Sequence, residues 1–578
     1  MSKDRKLKLT KYIKRYTKEA ILGPLFKLFE ATLELIVPLV VASIIDKGIA
    51  TSDTGYIIKM CLVLVLLGVV GLAFSLTAQY FAAKASVGFV TGIRNGLFEH
   101  IGTLSYNDID KIGTPTLITR MTTDANRVQT GLNLALRLLL RSPFVVFGAM
   151  IMALSIDSSA GTTFAIVIPV LSVIVFGIML ITTPLYKKVQ SGVDKILKRT
   201  RENLSGIRVI RAFAREENEK EAFKEENAAL TASQKRAGHV SALLNPLTYV
   251  VINIGILYLI YVGAIKVDAG ELTRGEVIAL YNYMSQILVE LIKLANLIVS
   301  ITRAIASASR ISSVFDVSST QSFGDEDFSS NSAKSVEFRN VSLRYGTSSE
   351  DSLTDVSFTA SAGETVGIIG GTGSGKSSLV NLIARFYDAT EGAVIINGKD
   401  IKEYTKDAIT NAIGIVEQKA TLFSGTIRDN VCFGAKCATE NDVYKALEAA
   451  QALDVVESHG GLDAEVKAGG KNFSGGQKQR LTVARALAKN PDILILDDAS
   501  SALDYVTDAR MRAAIKELSS DKTVFIVSQR TASVMHADKI IVLDDGRVAD
   551  IGTHSELLEK STVYKEIYES QFKKEASI

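Results

Sequence analysis

Six long apolar stretches carrying few charges punctuate this chain, and polar, helix-forming sequence separates them. They lie near 21–45, 58–83, 133–155, 162–184, 245–267 and 276–302. Each is long enough to cross roughly 30 Å of hydrocarbon as an α-helix. The connections alternate in length: those near 46–57, 156–161 and 268–275 are short, and those near 84–132 and 185–244 are long, polar and rich in helix formers. Lys187, Lys188, Lys195, Lys198, Arg199, Arg201, Arg208 and Arg211 crowd the second long connection, whereas the short ones hold few cations. Positive charge accumulates on the inner side of a membrane. The pattern therefore predicts six spans, with the long connections and both chain ends on the cytoplasmic side. Ahead of the first span, Lys3, Arg5, Lys6, Lys8, Lys11, Lys14, Arg15 and Lys18 interleave with apolar residues, as in a helix lying on an anionic bilayer surface.

Ionisable residues break the apolar stretches at Glu30, Glu34, Arg137, Arg141, Glu290 and Lys293. Charges at such depth are costly and rarely face lipid. Pairing between helices, or reaching to the headgroups, is the expectation for Arg137 and Arg141. For Glu30, Glu34 and Glu290 two readings stay open, an internal ion pair and a polar wall along a substrate path.

After the last span the pattern changes. Residues 317–334, rich in serine and acids, have the composition of a linker. From Ser335 onward short apolar runs alternate with helical segments and no spanning stretch recurs, which predicts an α/β domain. Within it, Thr365–Ile369 reads as a buried strand and Leu379–Phe386 as a helix. Between them stands G-G-T-G-S-G-K-S-S, Gly370–Ser378. Strand, glycine loop, lysine and hydroxyl, helix is the arrangement of a phosphate-binding loop. Gly370, Gly373 and Gly375 free the backbone to turn its N–H groups inward, and Thr372, Ser374 and Ser378 complete the loop. Lys376 reaches the β and γ phosphates, and the Ser377 hydroxyl is a ligand for Mg²⁺. Ile493–Asp498 is an apolar strand ending in two acids, with Asp497 placed to hold the Mg²⁺ shell. Phe473–Gln477, F-S-G-G-Q, precedes a helix between these two motifs.

Composition narrows the picture further. Of 578 residues, 47% are hydrophobic, which agrees with a membrane-embedded portion. A net charge of only +3 supports no polyanion surface, so no nucleic-acid partner is expected. Cys61, Cys432 and Cys437 form no disulfide framework and fit a reducing compartment; Cys61, within an apolar run, reads as a small packed hydrophobe. There is no Trp for an interfacial belt, leaving Tyr and Phe. The first twenty residues show no cleavage-site pattern.

With its phosphate loop, acidic strand end and S-G-G-Q motif behind six spans, the chain resembles an ATP-binding cassette exporter half-transporter over essentially its whole length. The resemblance implies an all-α six-helix transmembrane domain (1–316), a linker (317–334) and an α/β P-loop nucleotide-binding domain (335–578). It implies ATP and Mg²⁺ as cofactors. Tyr345 resembles the aromatic that stacks on adenine, and Gln418, in V-E-Q-K, resembles the glutamine that senses Mg²⁺ and the membrane domain. Ser474, Gly475, Gly476 and Gln477 resemble the signature that clasps ATP held by an opposing subunit. Ser501–Asp504 resembles the loop passing between the two sites. Segments near 105–116 and 206–214 resemble coupling helices.

Two positions depart from the family pattern. Asp498 stands where active members have Glu to orient the attacking water, and Gln529 stands in place of the switch histidine. The missing methylene withdraws the carboxylate by roughly 1.5 Å, and a misplacement of about 1 Å can cost about a hundredfold. Glutamine can hydrogen-bond but never becomes cationic. Phe473 replaces the usual Leu and keeps an apolar contact. This pairing is similar to one half of the heterodimeric bacterial multidrug exporters. It implies a homologous half-transporter as partner, a degenerate ATP site in this chain, and a multi-pass protein of the cell membrane that extrudes amphipathic drugs or lipids. On this reading Glu30, Glu34 or Glu290 would face the cavity and recognise cationic cargo. A homodimeric lipid or drug flippase and a nucleotide-sensing regulatory subunit are the alternatives. The absence of an N-terminal peptidase domain points away from leader-cleaving peptide export.

Overall fold

The computed structural model describes residues 3–328, 335–346, 350–435, 439–518 and 521–572. Cys437 and residues 329–334 of the expected linker lie outside them. Contacts divide the chain into two units, Met1–Gly102 with Pro115–Val317, and Thr103–Thr114 with Ser318–Ile578.

In the first unit, the described residues contain six helices long and apolar enough to cross a membrane: Thr17–Ile49, Thr54–Thr103, Thr114–Ile156, Ser158–Ser205, Glu216–Asp268 and Arg274–Phe315. All six expected stretches lie inside them, but the helices run far beyond. The long connections are largely continuations of the spans, because Ala-, Lys- and Glu-rich sequence carries a helix onward after the apolar stretch ends. The reversals are tight and capped. Asp157 accepts the Ala160 N–H at the start of the fourth span and pairs with Lys266 at 2.5 Å. Thr273 and Glu276 form a reciprocal capping box at the start of the sixth. There Gly275 donates to Asp46, and a Cβ at this position would lie 2.3 Å from the Ala42 carbonyl oxygen, so only glycine lets the first and sixth spans approach. Ala31, Leu35, Ala149, Phe164, Leu171, Tyr283, Met284 and Ile287 fill the core between spans.

The second span behaves differently. None of its most apolar window is buried, and Leu62, Val65, Leu66, Val69 and Leu72 are all exposed. That surface is left for hydrocarbon or for another spanning helix. Cys61 belongs to this exposed face, so it is not the packed hydrophobe its apolar surroundings suggested. The N-terminal helix, Lys3–Lys14, is present, and Tyr12 within it and Tyr16 just after it press their rings over Gly92 and Gly96, and over Gly88, of the second span.

The second unit is an α/β domain. Its main sheet has the spatial order Arg547–Gly552, Lys539–Asp544, Thr365–Gly370, Thr523–Val527, Ile493–Asp497 and Ile413–Val416. The inner strands are parallel and largely apolar, as strands buried on both faces tend to be. An antiparallel sheet, built on Val336–Leu343, packs through Phe338 and Phe358 into the same core as the helix Lys376–Ile383. The described part of the linker-like segment lies along this unit. Gln321 donates to the Arg385 carbonyl at 3.0 Å, and Phe328 stacks on Tyr404 at 4.2 Å.

Candidate functional site

At the C-terminal ends of the central strands lies an open cleft of about 450 Å³. This is where ligands bind open parallel sheets. Thr372, Gly373, Gly375, Lys376, Ser377, Ser378, Gln418, Asp497, Asp498 and Gln529 all line it. Residues up to 157 positions apart, from Thr372 to Gln529, are thereby gathered in one place.

The glycine loop owes its shape to position 375. Gly375 has φ +93°, and a Cβ there would meet the Ser352 carbonyl oxygen and the Leu353 side chain, each at 2.7 Å. The helix begins directly after it, at Lys376 rather than Leu379, so Lys376 and Ser377 occupy its first turn. It ends at Ile383, and Arg385 turns off with φ +50°. The Lys376 ammonium donates to the carbonyls of Gly370 (3.0 Å) and Gly371 (2.6 Å) and to the Ser374 hydroxyl (3.4 Å). Gly370 and Ser374 thus sit beneath the cleft as supports. Gly375→Ala is expected to destabilise by about 1–3 kcal/mol, since both the left-handed backbone and the close approach penalise a side chain. The check is the thermal midpoint of the purified full chain, with and without nucleotide; an unchanged midpoint would show that the loop yields without cost.

Two carboxylates face this loop. Asp497 ends its strand almost wholly buried and is hydrogen-bonded by Ser377. Burial holds its carboxyl above the usual range despite that bond, and burial pushes the Lys376 ammonium down while Asp497 and Asp498 oppose the shift. A serine hydroxyl, a carboxylate and the Gln418 side chain are hard oxygen donors of the kind Mg²⁺ prefers, so the residues fit the metal. Asp498 leaves the strand with φ +50°, and Gln418 reaches its Oδ2 at 3.5 Å. Burial raises its carboxyl, with Gln418, Arg530 and Lys376 opposing. A raised carboxyl is a stronger base, but for a general base reach is decided first.

Other expected residues lie elsewhere. Ser474 begins the helix Gly475–Ala488 in a reciprocal capping box with Gln477, and none of Ser474, Gly475, Gly476 or Gln477 lines the cleft. Phe473 is buried, stacked on His459 at 4.4 Å. Asp504 caps the start of the helix Tyr505–Leu518 through Thr507. Tyr345 does not line the cleft either; it meets Tyr387 edge-on at 4.8 Å. Conversely, Glu350, Asp351, Ser352, Ser528, Asp545 and Gly546 do line it, and no local motif marks them.

A short helix from the first half of the chain completes this unit. Tyr106–Ile112 starts at a Ser105 cap and sets Tyr106 against Phe386 at 4.7 Å. Tyr387 donates its hydroxyl to Asp110 at 2.6 Å. Asp108 is buried; burial would raise its carboxyl, but hydrogen bonds from Ser105 and from Thr320 outweigh that and lower it. The second coupling-type segment, Ile207–Ala212, has no buried residue, and Val209 and Phe213 are strongly exposed.

Comparison with known proteins places these features in one lineage. The family model described as the ABC transporter transmembrane region matches residues 20–291, and the ABC transporter model matches 353–501. An uncharacterized ABC transporter ATP-binding protein of Mycobacterium tuberculosis is 36% identical over 97% of both chains. YfiB of Bacillus subtilis, an uncharacterized protein of the same description, is 34% identical over 99% of both. YgaD of Bacillus subtilis, provisionally named for multidrug export, is 30% identical over 97% of this chain and 98% of its own. The solved structure of a bacterial Atm1-family ABC exporter with ATP bound superposes with a TM-score of 0.77 at 23% identity, covering 97% of this chain and 98% of that one, and so shares the fold. Six spanning helices joined to a phosphate-loop α/β domain, with relatives of this identity along nearly the whole length, make this multi-pass membrane protein a member of the ABC transporter family, with the fold of an exporter half-transporter.

Proposed function

We propose that the chain is the degenerate-site half of a heterodimeric exporter that extrudes amphipathic drugs or lipids. The composition of the cleft is the observation that carries this reading. It holds a phosphate loop and Mg²⁺-type donors beside Asp498 and Gln529, while Ser474, Gly475 and Gly476 lie outside it. ATP would bind at Lys376, Ser377 and Gln418, with Mg²⁺ held by Ser377 and, through water, by Asp497 and Gln418. Tyr345 would turn to the adenine. Hydrolysis at this site would be slow, because Asp498 is short by a methylene and Gln529 carries no positive charge. The signature would serve a second site, where a homologous partner supplies Glu and His. The exposed segment Ile207–Ala212 and the Phe213 that follows it support a partner as well, since Val209 and Phe213 offer apolar contacts that nothing in the described chain covers. The α/β unit and both termini would then be cytoplasmic.

The test compares the chain purified alone with the chain co-purified with a homologous half that carries Glu and His. The chain alone is expected to bind ATP and turn it over poorly; the pair is expected to hydrolyse ATP with stimulation by cargo. Cargo-stimulated hydrolysis by the single chain would instead establish a homodimeric transporter.

A further inference from the structure

Seven charged side chains cluster along the first, third and sixth spans: Lys27, Glu30 and Glu34, then Arg137 and Arg141, then Glu290 and Lys293, with Arg137 about one turn deeper than Arg141. Glu34, Arg141 and Glu290 stand 15, 15 and 16 residues from the helix ends Ile49, Ile156 and Arg274 (49−34, 156−141, 290−274). At 1.5 Å per residue this puts them at a common depth of about 22–24 Å. Every carboxylate in the cluster is already engaged. Lys27 bonds Glu30 at 2.5 Å. Arg141, almost wholly buried, forks to Glu34 at 2.5 Å and to Glu290 at 2.7 Å. Ser142 and Lys293 also donate to Glu290, at 2.8 and 2.9 Å. Four cations therefore face three carboxylates, and the unmatched one is Arg137, which has no hydrogen-bond or ion-pair partner among the described residues. Its Nε and that of Arg141 are buried without an acceptor, and the Gln286 Oε1, one turn from Glu290, lacks a donor.

The hydrogen-bond ladder of the third span has a gap at the same place, although Leu139 and Leu140 keep helical backbone angles. The third span is interrupted between Leu138 and Arg141. Pro143 supplies no N–H to the Leu139 carbonyl, which breaks the ladder.

We propose that this cluster binds the anionic headgroup, a carboxylate or phosphate, of an amphiphilic cargo, with Arg137 as the cation left for it. The inference rests on the export reading and names its cargo class. A cation entering here would find each carboxylate occupied, whereas an anion would meet a guanidinium whose donors have no acceptor and whose desolvation is otherwise uncompensated. The sequence-based expectation of cationic cargo at Glu30, Glu34 or Glu290 is thereby reversed.

The test uses the purified heterodimer and three fluorescent amphiphiles of one chain length: a carboxylate, its methyl ester and a trimethylammonium analogue. Without ATP, the carboxylate is expected to bind about tenfold more tightly than the trimethylammonium probe, the size of one charge-assisted hydrogen bond. Arg137→Gln should bring that ratio near one, and Arg137→Lys should restore most of it. Arg137 is chosen because its removal strands no carboxylate, unlike that of Arg141. A preference for the cation, or an unchanged ratio in Arg137→Gln, overturns the proposal. Phosphatidylglycerol displaces the carboxylate probe if a lipid headgroup is the natural occupant, and fails to if a soluble amphiphile is; either supports an anion site. ATP-driven movement of the probes in phosphatidylcholine vesicles is scored separately. If none moves while binding still depends on Arg137, the export reading fails and the anion site stands.

Discussion

Gly475→Asp is expected to reduce ATP turnover of the assembled transporter to near background, while Asp498→Ala in the same polypeptide leaves most of it. The two residues would belong to different nucleotides. In the proposed head-to-tail pair, Asp498 would sit beside this chain's own Lys376, whereas the signature would close over ATP on the partner. The structure makes position 475 a clean probe. An added Cβ there has nothing nearer than the Ala502 Cβ at 3.8 Å, so the fold accommodates a side chain, and lost activity reports on the phosphate it would repel. Ser474→Arg should be equally damaging, but it also removes the helix cap and costs about 1 kcal/mol of stability. Neutralising the partner's Glu should cost a factor of about 10²–10⁴, the worth of a positioned base. Turnover of the purified heterodimer bearing each change decides the matter. Should Gly475→Asp stay active while Asp498→Ala is dead, the site around Lys376 is the working one and the asymmetry is inverted.

Arg141→Met is expected to destabilise the membrane unit by about 3–5 kcal/mol, because Glu290 and Glu34 lose the buried guanidinium that pairs with both. Lys293 stays on Glu290, but its side chain is half exposed and reaches only one of the two acids. Adding Glu34→Gln and Glu290→Gln should recover most of the loss, since well-packed neutral groups replace a buried ion network at little cost. Thermal unfolding of the detergent-purified protein is the measurement. An Arg141→Met midpoint equal to the native one would mean that the network contributes no stability.

Local pattern carried the fold a long way for specific reasons. Hydrocarbon is intolerant of charge, so each span is written as a long apolar run with few charges; the phosphate loop is legible because its glycines, its lysine and its hydroxyl each meet a distinct physical need. What local pattern could not carry is equally physical. The extensions of the spans beyond the bilayer have no hydropathy signal, only helix propensity. The rim acids Glu350, Asp351 and Asp545 reach the cleft from strand ends far apart in the chain, and no motif joins them. The expectation for Arg141 was an interhelical pair, and its bonds to Glu34 and Glu290 are that. Glu290 could not be read alone, since its partner lies 149 residues away.

The helix Tyr106–Ile112 has a consequence for how the protein is made. Asp110 and its partner Tyr387 are separated by 277 residues. A ribosome adding about 5–20 residues each second emits the second roughly 15–55 seconds after the first. Until Thr320 is made the buried Asp108 lacks its later donor, and Tyr106 waits longer still for Phe386. The last four spans enter the bilayer meanwhile. The C-terminal unit therefore cannot finish folding as a late, self-contained module. It closes around a segment that was delivered early, so a nascent chain halted before residue 320 carries an unsheltered docking helix for chaperones and proteases to find.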